Sequence, residues 1–271
     1  MSTTRGAHVS TDGARVLGES GPAVLLIPGG AETSDGFFPG LPEGLRDDPG
    51  CRVILYDRPG AGSSSRDGSL ADASGHIAAM IDELGCGPVV AVGQSLGGAV
   101  AALLARDHPE AVAGLVFLDP TPLNDPAGCA RLERSLGAIV ALSRVPLLRN
   151  VFAAALRASF ARQRRRLRMR PDCAEAHERI GDLDIPKLAR AVQGITAVSA
   201  GFRESDLPRV PAVVVTADRL PHNKIRMAHA RLAAALDAPL VSWPGAQHNL
   251  QLDHPDETLT TVRDLVRRTT V

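Results

Sequence analysis

Aromatic residues are scarce in this 271-residue chain: one Trp, one Tyr and six Phe make up 3% of it. So sparse a set argues against a stacking platform for nucleic-acid bases and leaves aliphatic side chains to line any ligand cavity. Net charge is missing as well, since 30 basic residues balance 30 acidic ones. No global field therefore draws the chain to nucleic acid or to a membrane surface. The four cysteines, Cys51, Cys86, Cys129 and Cys173, form no C-x-x-C pair, which speaks against a zinc site or a redox couple and for buried free thiols. No uninterrupted apolar run reaches the length of a membrane span, and Met1-Ser2-Thr3-Thr4-Arg5 lacks the apolar stretch of a secretion signal. The expectation is a soluble cytoplasmic protein with no metal and no bound cofactor.

What is present is 44% hydrophobic and 22% charged, enough to build a substantial core. Short apolar runs bounded by Gly, Pro and Asp alternate with longer amphipathic stretches, the pattern of an α/β fold whose mostly parallel sheet is flanked by helices. His8 to Leu17, interrupted by Asp12-Gly13, reads as a hairpin. Ala23 to Ile27, Val53 to Tyr56, Val89 to Val92, Leu115 to Leu118, Ala212 to Thr216 and Pro239 to Ser242 read as strands. Leu41 to Arg46, Ala73 to Leu84, Leu96 to Arg106, Lys224 to Leu236 and a last stretch opened by Pro255 read as helices. Residues Thr121 to Asp206 break the alternation with helical patterns alone. The expected organisation is a core of residues 1–120 and 207–271 carrying an inserted helical cap, residues 121–206, above the carboxyl ends of the strands, where such sheets bind ligands.

Two features carry chemistry. Gly93-Gln94-Ser95-Leu96-Gly97 joins the apolar run Val89 to Val92 to an alanine-rich helical stretch. A G-x-S-x-G turn in that context is a nucleophile elbow, which presents its serine above the sheet at the positive end of a helix. A serine hydroxyl is a weak nucleophile at neutral pH and needs a base, and the base needs an acid to orient it. His248, in Trp243-Pro244-Gly245-Ala246-Gln247-His248-Asn249 after the final strand, is the candidate base. His108 reads as the exposed end of a helix, and His222, His229 and His254 read as solvated.

These residues, with Leu25-Leu26-Ile27-Pro28-Gly29-Gly30, Tyr56-Asp57-Arg58-Pro59-Gly60-Ala61-Gly62-Ser63 and Gln251-Leu252-Asp253-His254-Pro255, make the chain resemble the α/β-hydrolase superfamily, in its serine-nucleophile form with a helical cap. Pro28 departs from the family, where many members carry histidine. The resemblance implies an oxyanion hole made by the backbone N–H groups of Leu96 and Gly30. It implies that Asp57 organises its own loop. It leaves two candidates for the acid. The common position after the strand Ala212 to Thr216 is Leu220, with Asp218 two residues early. A subset of the superfamily places the acid at the end of the preceding strand, where Asp119 stands, so Asp119 is preferred and Asp218 is the alternative.

The implied activity is that of a serine esterase, cleaving an ester, thioester or related acyl bond through an acyl-enzyme at Ser95. An acyltransferase or lyase could use the same residues, and a ligand-binding protein could keep the pocket without turnover. The one strong local charge, Arg162-Gln163-Arg164-Arg165-Arg166-Leu167-Arg168-Met169-Arg170, reads first as a solvated helix face. Its sharper reading is a dock for an anionic or carrier-bound substrate, because guanidinium forks match carboxylates and phosphates.

Overall fold

Strands such as Ala23–Ile27 and Val89–Gln94 are buried along their whole length, which requires helices on both faces of the sheet. The computed structural model describes residues 8–9, 14–143, 146–182 and 184–269. Along the chain run β1 (His8–Val9), β2 (Ala14–Leu17), β3 (Ala23–Ile27), α1 (Leu41–Asp47), β4 (Arg52–Tyr56), α2 (Ala73–Leu84), β5 (Val89–Gln94), α3 (Leu96–Asp107) and β6 (Val112–Leu118). Then follow α4 (Pro126–Ser143), α5 (Pro146–Leu167), α6 (Pro171–Gly181), α7 (Ile185–Val192) and α8 (Ile195–Gly201). The chain ends with β7 (Ala212–Val215), α9 (Lys224–Ala235), β8 (Leu240–Val241), α10 (Leu250–Asp253) and α11 (Pro255–Thr269). The sheet order is β1-β2-β4-β3-β5-β6-β7-β8. β1 and β2 pair antiparallel, β2 pairs antiparallel with β4, and every later pairing is parallel.

The alternation of side chains along each strand divides the core in two. On one face Leu25, Ile27, Ala91, Leu115, Phe117 and Val214 meet Ile77 and Met80 of α2 and Val100 and Leu104 of α3. On the other face Val24, Leu26, Val90, Val92, Val116 and Val215 meet Leu45 of α1 and Val262 and Leu265 of α11. Leu104 and Leu265 are fully buried; truncating either to Ala would cost about 2–5 kcal/mol.

The chain leaves β3 toward β4 on one side and reaches β5 on the other, so the loops after β3 and β5 diverge and open a crevice at the carboxyl ends of the strands. The long segment between β6 and β7 contributes the helices α4 to α8 and, among the described residues, no strand. Basic side chains tie this segment to core loops. Arg170 donates to the Pro39 carbonyl at 3.2 Å and pairs with Asp256 at 3.0 Å. Arg179 donates to the Gly36 carbonyl at 3.0 Å, and Lys187 to the Gly62 carbonyl.

Candidate active site

Ser95 sits where β5 turns into α3, at φ 52° and ψ −117°. For a residue with a side chain this is a sparsely populated conformation costing about 1–3 kcal/mol, which only surrounding structure can hold. Here the neighbours are glycines that let backbones touch: a Cβ on Gly97 would strike the Ile27 and Pro28 carbonyls, and one on Gly93 would strike the Gly97 carbonyl. Ser95 N–H donates to the Leu118 carbonyl at 3.0 Å, and Thr121 N–H donates to the Ser95 carbonyl at 2.8 Å. The elbow is thereby laced on both sides to the turn that follows β6.

That turn carries Asp119, itself at φ 46° and 1% exposed. His248 comes from the loop between β8 and α10 and places Nδ1 2.6 Å from Asp119 Oδ2 and Nε2 2.9 Å from Ser95 Oγ. An ionised carboxylate can only accept, so Nδ1 carries the proton and Nε2 is left with a lone pair for the serine hydroxyl. Burial pushes the Asp119 carboxyl up, but hydrogen bonds from Arg219, His248 and the Ala217 N–H outweigh it and hold the group well below the usual carboxylate range. Arg219 binds Asp119 through both guanidinium nitrogens: Nη2 donates to Oδ2 at 2.6 Å and Nη1 donates to Oδ1.

Asp218 is not near the imidazole ring. It is exposed, and it braces the loop that carries His248: its Oδ2 accepts from Gly245 N–H at 2.8 Å and its own N–H donates to the Ala246 carbonyl at 2.8 Å. Gln94 Nε2 fixes the same loop by donating to the His248 carbonyl at 2.8 Å. Leu220 points to solvent, 66% exposed. Of the two aspartates, the structure brings Asp119 to His248.

Leu96 is the first residue of α3, so its N–H is one of the helix's orphan donors. The loop after β3 lies against the elbow, where a Cβ on Gly29 would meet Gln94 and Ser95, and it continues through Gly30 at φ 57°. Asp57 holds this loop to its own: it accepts from Thr33 Oγ1 at 2.8 Å, Ser34 N–H at 2.6 Å, Ser63 N–H at 2.7 Å and Ser63 Oγ at 2.8 Å. Although burial pushes its carboxyl up, those donors keep it below its ordinary range.

His229 corrects the reading of a solvated side chain. It is fully buried, with Nδ1 2.9 Å from Thr216 Oγ1, Nε2 2.7 Å from the Pro120 carbonyl and Nδ1 3.7 Å from Asp119 Oδ1. Because a carbonyl can only accept, Nε2 holds the proton and the ring is neutral; burial lowers its basicity. The available signal was periodicity, since Ala228, His229, Leu232 and Ala233 form the buried face of α9. Arg219 was missed as well, and nothing local marks it. In the basic cluster Arg164 pairs with Glu178 at 3.5 Å and Arg170 with Asp172 at 2.9 Å, whereas Arg162, Arg165, Arg166 and Arg168 are exposed. Among the described residues no group of three or more His, Cys, Asp or Glu is placed to hold a metal ion. No helix among them is long and apolar enough to cross a membrane.

The sequence matches the profile of a family described as alpha/beta hydrolase fold over residues 22–255. It is 59% identical over 44 residues, 16% of this chain and 17% of the relative, to lipase LipV of Mycobacterium tuberculosis. It is 33% identical over 111 residues, 40% of this chain and 35% of the relative, to the sn-1-specific diacylglycerol lipase ABHD11 of Mus musculus. The matched stretches thus span well under two thirds of either relative. The structure of a thermophilic esterase from Thermogutta terrifontis superposes with a TM-score of 0.70 at 20% identity, covering 98% of both chains.

Proposed function

We propose, from the premise that this chain belongs to the α/β-hydrolase family, that it is a cofactor-free serine hydrolase acting on a carboxylic ester, thioester or related acyl bond. The observation that carries this reading is the continuous relay from Ser95 Oγ to His248 Nε2 at 2.9 Å and from His248 Nδ1 to Asp119 Oδ2 at 2.6 Å. Each member has what its role needs. Ser95 is held in a strained turn that exposes its hydroxyl. His248 has a free lone pair toward that hydroxyl, and Asp119 is ionised, buried and fixed.

In the proposed reaction Ser95 Oγ attacks the acyl carbon while His248 Nε2 takes its proton. The carbonyl π electrons move onto oxygen, where the N–H groups of Leu96 and Gly30 receive the charge; losing one such donor typically costs about 2.7–4 kcal/mol of barrier. Collapse expels the alcohol or thiol, which leaves with the proton returned by His248. Water then attacks the acyl-enzyme with His248 again as base, releasing the acid and restoring Ser95. Helices α4 to α8 act as a cap over the site, and their contacts with the loops at Gly36 and Gly62 support that placement. The lipase and esterase relatives support the acyl-bond class.

Labelling with a fluorophosphonate probe tests the reading. Wild type is expected to be modified and Ser95→Ala not. A wild type that remains unlabelled would sink the hydrolase reading in favour of a ligand-binding protein.

A further inference from the structure

Arg219 lies in the loop after β7 between Asp218, which braces the His248 loop, and the exposed Leu220. Its planar fork meets Asp119 edge to edge, so that each carboxylate oxygen accepts two bonds. Oδ1 receives Arg219 Nη1 and, at 3.0 Å, the Ala217 N–H; Oδ2 receives Arg219 Nη2 at 2.6 Å and His248 Nδ1 at 2.6 Å. A carboxylate has about four lone-pair sites, and with all of them engaged its plane cannot rotate. Arg219 is held in turn, since Arg226 Nη1 donates to its carbonyl at 3.3 Å and Thr216 Oγ1 lies 3.4 Å from Nη1. The three residues 217–219 therefore grip both partners of the relay: Ala217 and Arg219 hold Asp119, and Asp218 holds Gly245 and Ala246 beside His248.

A full negative charge beside an imidazole does two opposing things. It steadies the imidazolium formed when Ser95 gives up its proton, but too tight a pair delays return of that proton to the leaving group. We propose that Arg219 is a positioning residue that clamps the Asp119 carboxylate against His248 and takes up part of its charge, so that the imidazolium is stabilised without being trapped. The role deepens the hydrolase reading and rests on it. The fork explains why arginine stands there: a lysine would supply the charge but one point contact.

The other titratable groups around the pair are His229 of α9, 3.7 Å from Asp119 Oδ1, Asp253 of α10, whose carboxyl is pushed up by burial and to a smaller degree by Asp119, and Asp218 of the loop after β7, which braces the His248 loop at Gly245. His229 is neutral, and both aspartates remain in an Arg219 variant, so removing the guanidinium leaves negative charge as the dominant neighbour of the ring.

The test follows the ring resonances of His248 by NMR as pH is varied, with His248→Gln identifying them, in wild type, Arg219→Gln and Arg219→Lys. In Arg219→Gln the titration midpoint is expected to rise by on the order of one pH unit. The acid limb of kcat/KM should rise with it, and kcat/KM at neutral pH should fall roughly 10- to 100-fold. Arg219→Lys keeps the cation without the fork, so its midpoint should stay closer to wild type than that of Arg219→Gln while kcat/KM still falls. A purely structural arginine would lower activity equally at every pH. An unmoved midpoint in Arg219→Gln overturns the proposal whatever happens to turnover. The titration is readable whether or not the protein is a hydrolase, and failure of that reading would appear separately as a wild type that refuses the fluorophosphonate.

Discussion

Asp119 directly follows β6 and Asp218 lies in the loop after the neighbouring parallel strand β7, ninety-nine residues apart in sequence yet serving the same histidine loop. Asp119 is buried and meets donors on both oxygens, among them a guanidinium and the His248 ring. Asp218 is exposed and meets backbone alone. The difference lies in the turn that precedes each side chain's projection. Asp119 adopts a left-handed backbone conformation and its carboxylate meets the His248 ring, whereas Asp218 has no positive φ and accepts from the Gly245 N–H. Of the two carboxylates, one touches the imidazole and the other holds the frame around it.

The largest expected effect breaks the contrast outright. Asp119→Asn should lower kcat on the order of 10⁴-fold, because an amide favours the wrong imidazole tautomer, while Asp218→Asn should lose far less. Steady-state kinetics of the two variants decide this, and near-normal turnover in Asp119→Asn would refute the assignment.

Next in size is a stability effect from a group buried as deeply as Asp119 but without its donors. His177 of α6 is fully buried, neither ring nitrogen has a hydrogen-bond partner among the described residues, and burial together with Arg164 depresses it to about 4. Its folded-state value lies below the unfolded one of about 6.5. The unfolded chain therefore binds the extra proton, and stability is complete above about pH 6.5 and lost as pH falls toward 4. The loss from this one group is on the order of 2–3 kcal/mol. Denaturant melts of wild type and His177→Leu at pH 7 and pH 4.5 should show the gap between the two pH values shrinking in the variant; an unchanged gap would refute it.

The smallest effect sharpens the comparison. Asp218→Asn retains one acceptor for the Gly245 N–H, and an exposed hydrogen bond contributes about 0.5–1.5 kcal/mol, so kcat/KM should drop about tenfold or less. A loss as large as that of Asp119→Asn would mean that Asp218 acts on the imidazole directly.

Much of this architecture was legible from local pattern. Uniformly apolar runs such as Val89 to Val92 announce strands covered on both faces, and Gly93, Ser95 and Gly97 announce the elbow because small residues are needed where backbones touch. His248 could be placed by its position after the last strand. The sequence preferred Asp119 without settling the acid, because Asp119 directly follows its strand while Asp218 lies in the loop after the next one, and the sequence does not display which side chain the fold turns toward His248. The role of Arg219 was invisible for a related reason, and for His229 the helical period of α9 could show burial but not partners. The roles of Arg219 and His229 depend on the β6–β7 register and on α9 packing over it, long-range consequences of folding that no window around position 219 or 229 contains. α10 was missed because four residues are too few to show a period.

The lacing of the elbow to the turn after β6, through Ser95 N–H to Leu118 and Thr121 N–H to Ser95, has a practical corollary for engineering. Ser95 and Asp119, the proposed nucleophile and acid, are mounted on one block that ends at Thr121, and the chain departs into α4 just beyond it. Grafts, randomised libraries or exchanged helices confined to residues 126–201 would therefore be expected to rewrite what reaches Ser95 while inheriting its spacing to Asp119 intact. The module boundary for redesign falls at a hydrogen bond, one residue after the proline that follows Asp119.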